Sequence, residues 1–450
     1  MNVNGLLFIS CFLPIVYLLH TLLPGHKPKN SLLLIAGLVF CAFGSLSGAA
    51  LLMMIAVVNY ICGRQITAGN HAKIFCVSAV VIDLAFLAFF KYLNFIITQL
   101  FHLPPVELGI VVPLGISFYI FKCISYIVDT YRDREQGTAR FSEFLLYVSF
   151  FPQLTAGPIS RFSHFKAQLN EREMPACQSA IGLRRFIIGL AKQLLISGTI
   201  AKLVNTIFAL DGSELNVPLA WVGAIAYMLQ IYIDFSGYSD MAIGMGQMFG
   251  FTAPENFNYP YIATAITDFW RRWHISLSSW FKDYVYIPLG GNRKGKLRTA
   301  LNKWTVFLLC GIWHGAAWNF VLWGLWHGLF SALESGKIIP TKNRIFGRIY
   351  TLLAVCLGFV MFRAGSVEQG FQMIFAMFGG VPFAAGGLKT LLNFEVLAML
   401  LLAVVLSMPL LPKIKKIPQW LIWCGCIVLF VMCLLRLASS GFTPFIYAQF

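Results

Sequence analysis

The sequence predicts an all-α polytopic integral membrane protein. Of its 450 residues, 58% are hydrophobic and only 12% are charged, whereas a soluble domain is about 45–50% apolar and about 25% charged. The apolar residues form repeated runs of roughly the 20 residues that a helix needs to cross a hydrocarbon core. The short alternating segments of a membrane barrel are not seen. We expect a single membrane domain of roughly eleven transmembrane helices, with re-entrant and interfacial helices besides them.

The basic residues predict the orientation of the chain. A net charge of +16 fits cytoplasmic loops better than nucleic-acid binding, because Lys and Arg of membrane proteins concentrate on the cytoplasmic side. The basic groups are Lys27–Lys29, Arg64–Lys73, Arg132–Arg140, Arg161–Arg185, Arg271–Lys303, Lys337–Arg348 and Lys413–Lys416. The loops predicted to lie outside are His102–Glu107, Asp211–Val217 and Gly379–Lys389. The N-terminus is then also predicted outside, in the periplasm.

The first predicted span is Met1–Leu23. A signal peptide would have a basic residue before its apolar core and a cleavage site of small residues, and this segment has neither. The later predicted spans are Ser31–Phe43, Leu51–Cys62, Ile74–Leu100, Leu108–Asp129, Ile181–Leu210, Pro218–Gly250, Ile345–Phe362, Phe394–Leu411 and Leu421–Leu435. We group them as N-terminal helices (1–107), a core (108–333) and C-terminal helices (334–450).

Two features of the core depart from plain spans. Phe141–Pro158 has only a short apolar run before two prolines and a glycine, which predicts a re-entrant segment lining a cavity. Lys122 lies in the middle of an apolar run, so its ammonium must face protein or water. The 11 cysteines show no spacing typical of zinc or of a disulfide framework, and we expect no metal site.

The stretch Asp268–Tyr286 predicts one amphipathic helix. Its apolar positions recur on a single face, with basic residues opposite, which is typical of a helix lying in the membrane interface. His274 lies at the edge of that face and is either structural or functional. The Gly-rich turn that follows carries Arg293 and Lys294. These two side chains either contact the phosphates of an acyl donor or simply mark a cytoplasmic turn.

Two Trp-His-Gly triplets, at His314 and His327, lie within an apolar region. A histidine there is costly unless it has a function. A neutral imidazole accepts a proton from a hydroxyl nucleophile, so His314 is the stronger candidate for a general base and His327 the weaker. Asp234 and Asp240 share one helix and either orient a histidine or form structural ion pairs with Lys122 or Lys192. No Gly-x-Ser-x-Gly, zinc or Walker motif is present.

These residues resemble the membrane-bound O-acyltransferase (MBOAT) family, especially its alginate and peptidoglycan O-acetylation branch. The matching stretches are Pro113–Tyr119, Ile124–Tyr126, Phe151–Arg161, Asp234–Asp240, Asn256–Tyr261, Asp268–Gly295 and Gly311–Gly328. The cluster Pro288–Arg293 is similar to the alginate-type branch and argues against the teichoic-acid D-alanyl branch. Lys122 is a departure, because the branch has a Gln there.

The resemblance implies a helical shell around a central conduit that crosses the membrane. It implies that His314 is catalytic and that His274 supports it nearer the cytoplasmic entrance. Acetyl-CoA or another acyl thioester would be the donor, with no tightly bound cofactor. The expected partners are a polysaccharide acceptor, membrane lipids and a periplasmic esterase-like protein with a Ser-His-Asp centre. The residues expected to shape the conduit or contact substrate are Asp234, Tyr238, Asp240, Asn258, Trp273, Trp313, Arg271 and Arg272.

We therefore expect an acetyltransferase of the bacterial inner membrane that serves O-acetylation of an extracytoplasmic polysaccharide. One alternative is a proton-coupled transporter or flippase that uses the intramembrane His, Asp and Lys. Transporters often contain inverted repeats with paired broken helices, and the sequence shows one clear broken element. The other alternative is a D-alanyl or lipid O-acyltransferase of the same family.

Overall fold

The computed structural model describes residues 3–69, 71–106, 112–138, 140–173, 175–341, 343–379, 391–410 and 417–440. Over these ranges the regular structure is helical, and no strand occurs in them. The basic group Lys413–Lys416 and all but the first residue of the predicted outer loop Gly379–Lys389 lie outside the described residues.

The first helices, in chain order, are α1 (Leu13–Leu22), α2 (His26–Gly44), α3 (Leu46–Ala68), α4 (Ala72–Leu87), α5 (Leu93–Phe95), α6 (Ile116–Arg132), α7 (Phe141–Ser149), α8 (Phe151–Leu154), α9 (Phe162–Glu171) and α10 (Ala176–Ala191). They are followed by α11 (Gly198–Phe208), α12 (Val217–Met248), α13 (Ile266–Arg272), α14 (Ile275–Phe281), α15 (Gly295–His314), α16 (Trp318–Ser335), α17 (Arg344–Arg363), α18 (Val367–Ala376), α19 (Phe394–Leu406) and α20 (Gln419–Ser440). Single π-helical turns continue several of them, at Phe8–Phe12, Ala88–Tyr92, Ile96–Leu100, Lys192–Ser197 and Lys282–Tyr286.

The helices confirm the predicted class of a multi-pass, all-α membrane protein. Six of them are long and apolar enough to cross a membrane, namely Leu46–Ala68, Ala72–Leu100, Ala176–Phe208, Val217–Met248, Arg344–Arg363 and Gln419–Ser439. Two shorter apolar helices are Phe8–Leu22 and Phe394–Leu406. The predicted number of eleven spans is not confirmed by this set.

One compact unit consists of Met1–Phe186 with Ser239–Pro254. In it the predicted re-entrant segment is a broken helix: α7 stops at Ser149, α8 is a single turn, and the next residues are mostly buried without regular structure. The hydroxyl of Tyr147 donates to the backbone oxygen of Ser160 (2.8 Å), which holds this segment. Pro and Gly in the sequence therefore correctly predicted the break.

The same unit accounts for the charge in the middle of α6. Lys122 is buried, and its ammonium donates to the backbone oxygen of Tyr147 (3.1 Å) and lies 5.2 Å from the centre of that ring. The lysine thus faces protein, which is one of the two surroundings, protein or water, that the sequence allowed. Just before α6, Gly115 has a φ of +73°, and a side chain there would meet the backbone oxygen of Leu154 at 2.2 Å, so the turn into α6 depends on glycine.

The other compact unit consists of Ile187–Tyr238 with Glu255–Phe450. It contains the helical hairpin α15–α16, which carries both Trp-His-Gly triplets. The two helices touch at glycines. A Cβ on Gly311 would lie 2.3 Å from the backbone oxygen of Phe320, and a Cβ on Gly324 would lie 2.4 Å from the backbone oxygen of Phe307. Small residues of this kind let helix backbones approach closely in membranes.

The hairpin gives the first prediction. Gly311→Ala would place a methyl group against the backbone oxygen of Phe320. Overpacking of this kind typically lowers the free energy of unfolding by about 1–3 kcal/mol. We expect a lower thermal midpoint in detergent and lower abundance in the membrane. Gly425→Ala on α20 is the matched control, because a Cβ there meets nothing within 4 Å. Equal thermal midpoints for the two variants would contradict the close approach of α15 and α16.

Candidate functional site

The prediction of one continuous helix over Asp268–Tyr286 is wrong. The structure has α13 and α14 instead, separated at Trp273 and His274. His274 has a φ of +44°, in the left-handed region that few residues other than glycine adopt. A strained conformation of this kind persists only where the surroundings hold it.

Asn256 holds the turn at His274. Its side-chain oxygen accepts from the backbone N–H of Ser276 (3.2 Å) and from the Ser276 hydroxyl (2.9 Å), and it lies 3.2 Å from Nδ1 of His274. Its backbone oxygen accepts from Ile275 (2.9 Å). Because the Asn256 oxygen can only accept, Nδ1 of His274 carries the proton, and Nε2 is the basic nitrogen of the ring.

His274 is buried among aromatic side chains. Its ring centre is 4.7 Å from that of Phe235 and 6.4 Å from that of Trp313. This burial lowers the pKa of His274 to about 3, so the imidazole is uncharged at neutral pH. An uncharged ring with its Nδ1 proton held by an amide presents a proton acceptor at Nε2.

His314 is the last residue of α15 and is also buried. Its ring lies against Trp313 (5.0 Å), Trp323 (5.0 Å) and Phe362 (5.2 Å). Gly315 follows, and a side chain there would collide with the Phe320 ring. The ring of Trp313 therefore lies close to the rings of both His274 and His314.

A cavity of about 800 Å³ opens beside α13, α14 and α15. Four cationic side chains line it: Arg271, Lys282, Arg293 and Lys303. Three of these are exposed and Lys303 is half-buried, so the basic side of the cavity faces outward. Hydroxyl and backbone groups of the lining come from Thr267, Ser278, Ser279, Gly290, Gly291, Thr299 and Ser331.

The buried end of this cavity lies near His314. It is lined by Trp270, Phe307 and Cys310, of which Trp270 and Cys310 are buried. Cys310 precedes His314 by four residues on α15, which is about one helical turn. From Lys303 to His314 the same helix rises by roughly 16 Å. The cavity therefore leads from exposed cations towards the buried histidine.

Glu334, at the end of α16, positions the wall of the cavity. Its carboxylate accepts from the backbone N–H groups of Ile266 (2.5 Å) and Thr267 (2.9 Å) and from the Thr267 hydroxyl (2.7 Å). These donors belong to the first turn of α13, where backbone N–H groups lack helical partners. The Glu334 carboxylate thus fixes α13, the helix that carries Trp270 and Arg271.

A second cavity, of about 440 Å³, lies at the other end of the hairpin. Its polar lining includes Asp211, Glu368 and Gln369, and no Lys or Arg is among the described lining residues. This cavity adjoins the end of α17. There the backbone oxygen of Ala364 accepts a hydrogen bond (2.8 Å) from the side chain of Asn319, which lies at the start of α16. The lining of this cavity therefore carries carboxylates, whereas the lining of the first cavity carries Lys and Arg side chains.

The structure distinguishes the two predicted aspartates. Asp234 and Tyr238 are buried in the unit that holds the histidines. Asp240 belongs to the other unit and pairs there with Arg185 (2.8 Å). Asp240 therefore has Arg185 as a basic partner, which the sequence did not suggest.

The remaining predicted residues fall into two groups. Trp273 is buried against Phe257, Phe269 and Phe359. Arg272 pairs with Asp268 (3.1 Å). Three others are exposed, namely Asn258, Arg293 and Lys294. Of these, only Arg293 lines the basic cavity.

Several residues of the site were not singled out from the sequence. Lys282, Lys303 and Cys310 had no motif to mark them, although they fall within the basic and apolar runs. Asn256 stands in the matching stretch Asn256–Tyr261, but only the fold shows that it, and not Asn258, contacts His274. Among the residues that the structure describes, no three His, Cys, Asp or Glu side chains gather as metal ligands would.

Comparison with known proteins identifies the family. The family model for membrane-bound O-acyltransferases matches residues 125–338. The probable alginate O-acetylase AlgI of Azotobacter vinelandii is 38% identical, over 98% of this chain and 99% of its own. This chain belongs to the membrane-bound O-acyltransferase family.

Two other relatives are more distant. The peptidoglycan O-acetyltransferase of Helicobacter pylori is 35% identical over 84% of this chain and 79% of its own. The teichoic acid D-alanyltransferase of Bacillus subtilis is 28% identical over 69% of this chain and 82% of its own. The predicted family and enzyme class are thus confirmed, and the protein is an acyltransferase.

The contacts of Asn256 give the second prediction. Asn256→Ala removes the acceptor that fixes the Nδ1 proton of His274, and we expect acyl transfer to fall about tenfold or more, the effect of losing roughly 1.4 kcal/mol. Asn256→Asp keeps an acceptor oxygen and should retain more activity. The matched comparison is Asn258→Ala, two residues away with an exposed side chain. A larger loss for Asn258→Ala than for Asn256→Ala would contradict the assignment.

Proposed function

We propose that this acyltransferase takes an acetyl group from a cytoplasmic acyl thioester, such as acetyl-CoA, and passes it across the bacterial inner membrane. The acetyl group serves O-acetylation of an extracytoplasmic polysaccharide, directly or through a periplasmic partner with a Ser-His-Asp centre. One observation carries the proposal. A basic cavity leads inward to Cys310, about one helical turn from His314.

The basic cavity suits the anionic end of a donor. Its volume of about 800 Å³ falls in the range of roughly 300–1,000 Å³ typical of ligand sites. Guanidinium and ammonium groups bind phosphate oxygens, and the lining supplies both kinds at Arg293 and Lys303. Phosphates bound there would leave the thioester free to extend along α15 towards His314. The positive-inside rule places this basic end in the cytoplasm.

The chemistry falls to His314. Its imidazole would accept the proton of an acceptor hydroxyl as that oxygen attacks the thioester carbonyl. The new C–O bond forms, the C–S bond breaks, and the proton passes from the imidazole to the departing thiolate. His274, with Nε2 as its basic nitrogen and its ring close to Trp313, is proposed to support the site from the cytoplasmic side. Asp234 and Tyr238 are proposed to shape the conduit.

The acidic cavity is proposed to face the periplasm. Its lining residues Asp211 and Glu368 lie at the end of the hairpin opposite the cations, and α15 ends there with His314. An acceptor or partner arriving on this side would reach the imidazole without passing the donor. The N-terminus is likewise proposed to lie in the periplasm, a proposal supported by the alternation of basic groups with loops that lack Lys and Arg.

Acetyl is favoured over D-alanyl as the group transferred. The relatives named for O-acetylation are 38% and 35% identical to this chain, whereas the D-alanyltransferase is 28% identical over a shorter stretch. A polysaccharide acceptor follows from the names of the same relatives.

The third prediction tests the role of His314. His314→Ala should abolish ester-linked acetate in the envelope polysaccharide while the protein remains in the membrane at normal abundance. Released acetate and quantitative immunoblotting of membranes are the two measurements. Wild-type ester content at normal abundance would refute the proposal. His314→Gln serves as a second variant, because it keeps hydrogen bonding but lacks a basic ring nitrogen.

The fourth prediction concerns the donor end. Arg293→Ala and Lys303→Ala should each raise the KM for acetyl-CoA about tenfold, since each removes a charge-assisted contact to phosphate, and should leave kcat nearly unchanged. Lys294→Ala is the matched comparison, because Lys294 neighbours Arg293 but is not among the residues that line the cavity. An equal or larger effect of Lys294→Ala would show that overall charge, and not the cavity, attracts the donor.

A further inference from the structure

The start of α15 carries a cluster of three cationic side chains on the protein surface. Lys294, Lys296 and Arg298 are all exposed, and none of them is among the residues that line the basic cavity. The sequence has no Asp or Glu between Asp283 and Glu334. Within the described ranges, none of the three cations forms an ion pair with a carboxylate. This cation cluster therefore offers its full charge to an anionic partner.

The cations stand beside an apolar stripe on the same helix. The stripe consists of Leu297, Leu301 and Trp304, which are 76%, 48% and 38% exposed. These positions follow the i, i+4, i+7 spacing of one helical face. Leu297 lies between two residues of the cation cluster along the sequence. Exposed charge and exposed apolar surface thus meet at the beginning of α15.

The apolar stripe and the basic cavity lie on opposite sides of α15. The residues of α15 that line the cavity are Thr299, Lys303, Val306, Phe307 and Cys310. Two residues along a helix correspond to a rotation of about 200° around its axis. Leu297 therefore points away from the side of Thr299, and Leu301 points away from the side of Lys303. A ligand on the stripe is separate from a donor in the cavity.

The order of charge and apolar surface along the helix matches that of a phospholipid. The cation cluster lies at the beginning of α15, and the stripe continues from Leu297 to Trp304, over roughly 10 Å of helix. Clusters of Lys and Arg beside an apolar helix attract anionic headgroups, and tryptophan is enriched where the headgroups meet the hydrocarbon. A small soluble anion has no group that would contact the stripe.

We propose that the start of α15 binds an anionic phospholipid, with the headgroup phosphate on the cation cluster and the acyl chains along the apolar stripe. Phosphatidylglycerol has this chemistry, because its only headgroup charge is negative. A zwitterionic lipid such as phosphatidylcholine would bring its own cation close to Lys294, Lys296 and Arg298, and like charges repel. The site does not depend on the identity of the acyl donor, because the cation cluster lies outside the cavity.

The test is lipid binding to the purified full-length protein in detergent, measured by native mass spectrometry. Phosphatidylglycerol and phosphatidylcholine with the same acyl chains are titrated separately into the wild type and a triple variant. The triple variant carries Lys294→Gln, Lys296→Gln and Arg298→Gln. We expect the wild type to bind phosphatidylglycerol at least tenfold more tightly than phosphatidylcholine, and the triple variant to lose this preference, since each cation adds to the attraction.

A second measurement is the thermal midpoint. A ligand that binds the folded protein stabilises it, so phosphatidylglycerol should raise the midpoint of the wild type more than that of the triple variant. Without lipid the two midpoints should agree, because substitution of exposed side chains has little effect on stability.

The matched control removes the same number of positive charges elsewhere, through Arg132→Gln, Arg134→Gln and Arg140→Gln. These arginines are also exposed, but carboxylates stand among them. Arg132 pairs with Asp129 (3.8 Å). Arg140 pairs in the same way with Glu143 (3.4 Å). The control variant should therefore keep the preference for phosphatidylglycerol.

Four outcomes would overturn the lipid site. In the first, the wild type binds the two lipids equally. In the second, the triple variant keeps the preference but loses binding of an acidic acyl carrier protein, so that the cluster docks a protein instead. In the third, the control variant loses the preference to the same degree, which would show that overall charge attracts the lipid. In the fourth, glycerol 3-phosphate, which lacks acyl chains, displaces phosphatidylglycerol at equal concentration.

Discussion

The close approach of α15 and α16 is the constraint on which the site depends. Gly311 and Gly324 bring the two backbones so near that either Cβ would strike a carbonyl oxygen. At that spacing the ring of Trp323 lies against His314 and His327 alike. The hairpin also supplies part of the lining of the basic cavity, at Lys303, Phe307, Cys310 and Ser331. A wider helix pair would separate these rings and open a path for water.

Short elements complete the site because single side chains hold them. Glu334 bonds to the first turn of α13, and Asn256 holds the left-handed turn at His274. Neither helix is long enough to be stable without such support. The break at His274 directs α13 and α14 differently, so that both contribute to the lining of one concave cavity. A single straight helix would have offered one flat face.

Local chemistry made part of this structure predictable. The composition indicated the membrane class, and the prolines and glycine after Phe151 indicated the broken helix. The cost of a buried ammonium limited the surroundings of Lys122 to protein or water, and in the fold the side chain contacts Tyr147. The prediction of one helix over Asp268–Tyr286 was wrong because the periodic apolar pattern continues across the break. The left-handed backbone conformation of His274 has no signal in the sequence. The contact of Asn256 with His274 and the pairing of Asp240 with Arg185 are tertiary contacts, which spacing along the chain does not predict.

The row of rings between the two cavities bears on a competing reaction. A thioester is also open to attack by water, so an acyltransferase must exclude water from the reacting carbon. His314 is covered by Trp313, Trp323 and Phe362. A donor bound in the basic cavity would fill the space on the donor side. Under the proposed function, the donor itself then closes the cytoplasmic path, and only a hydroxyl arriving from the acidic end reaches the imidazole.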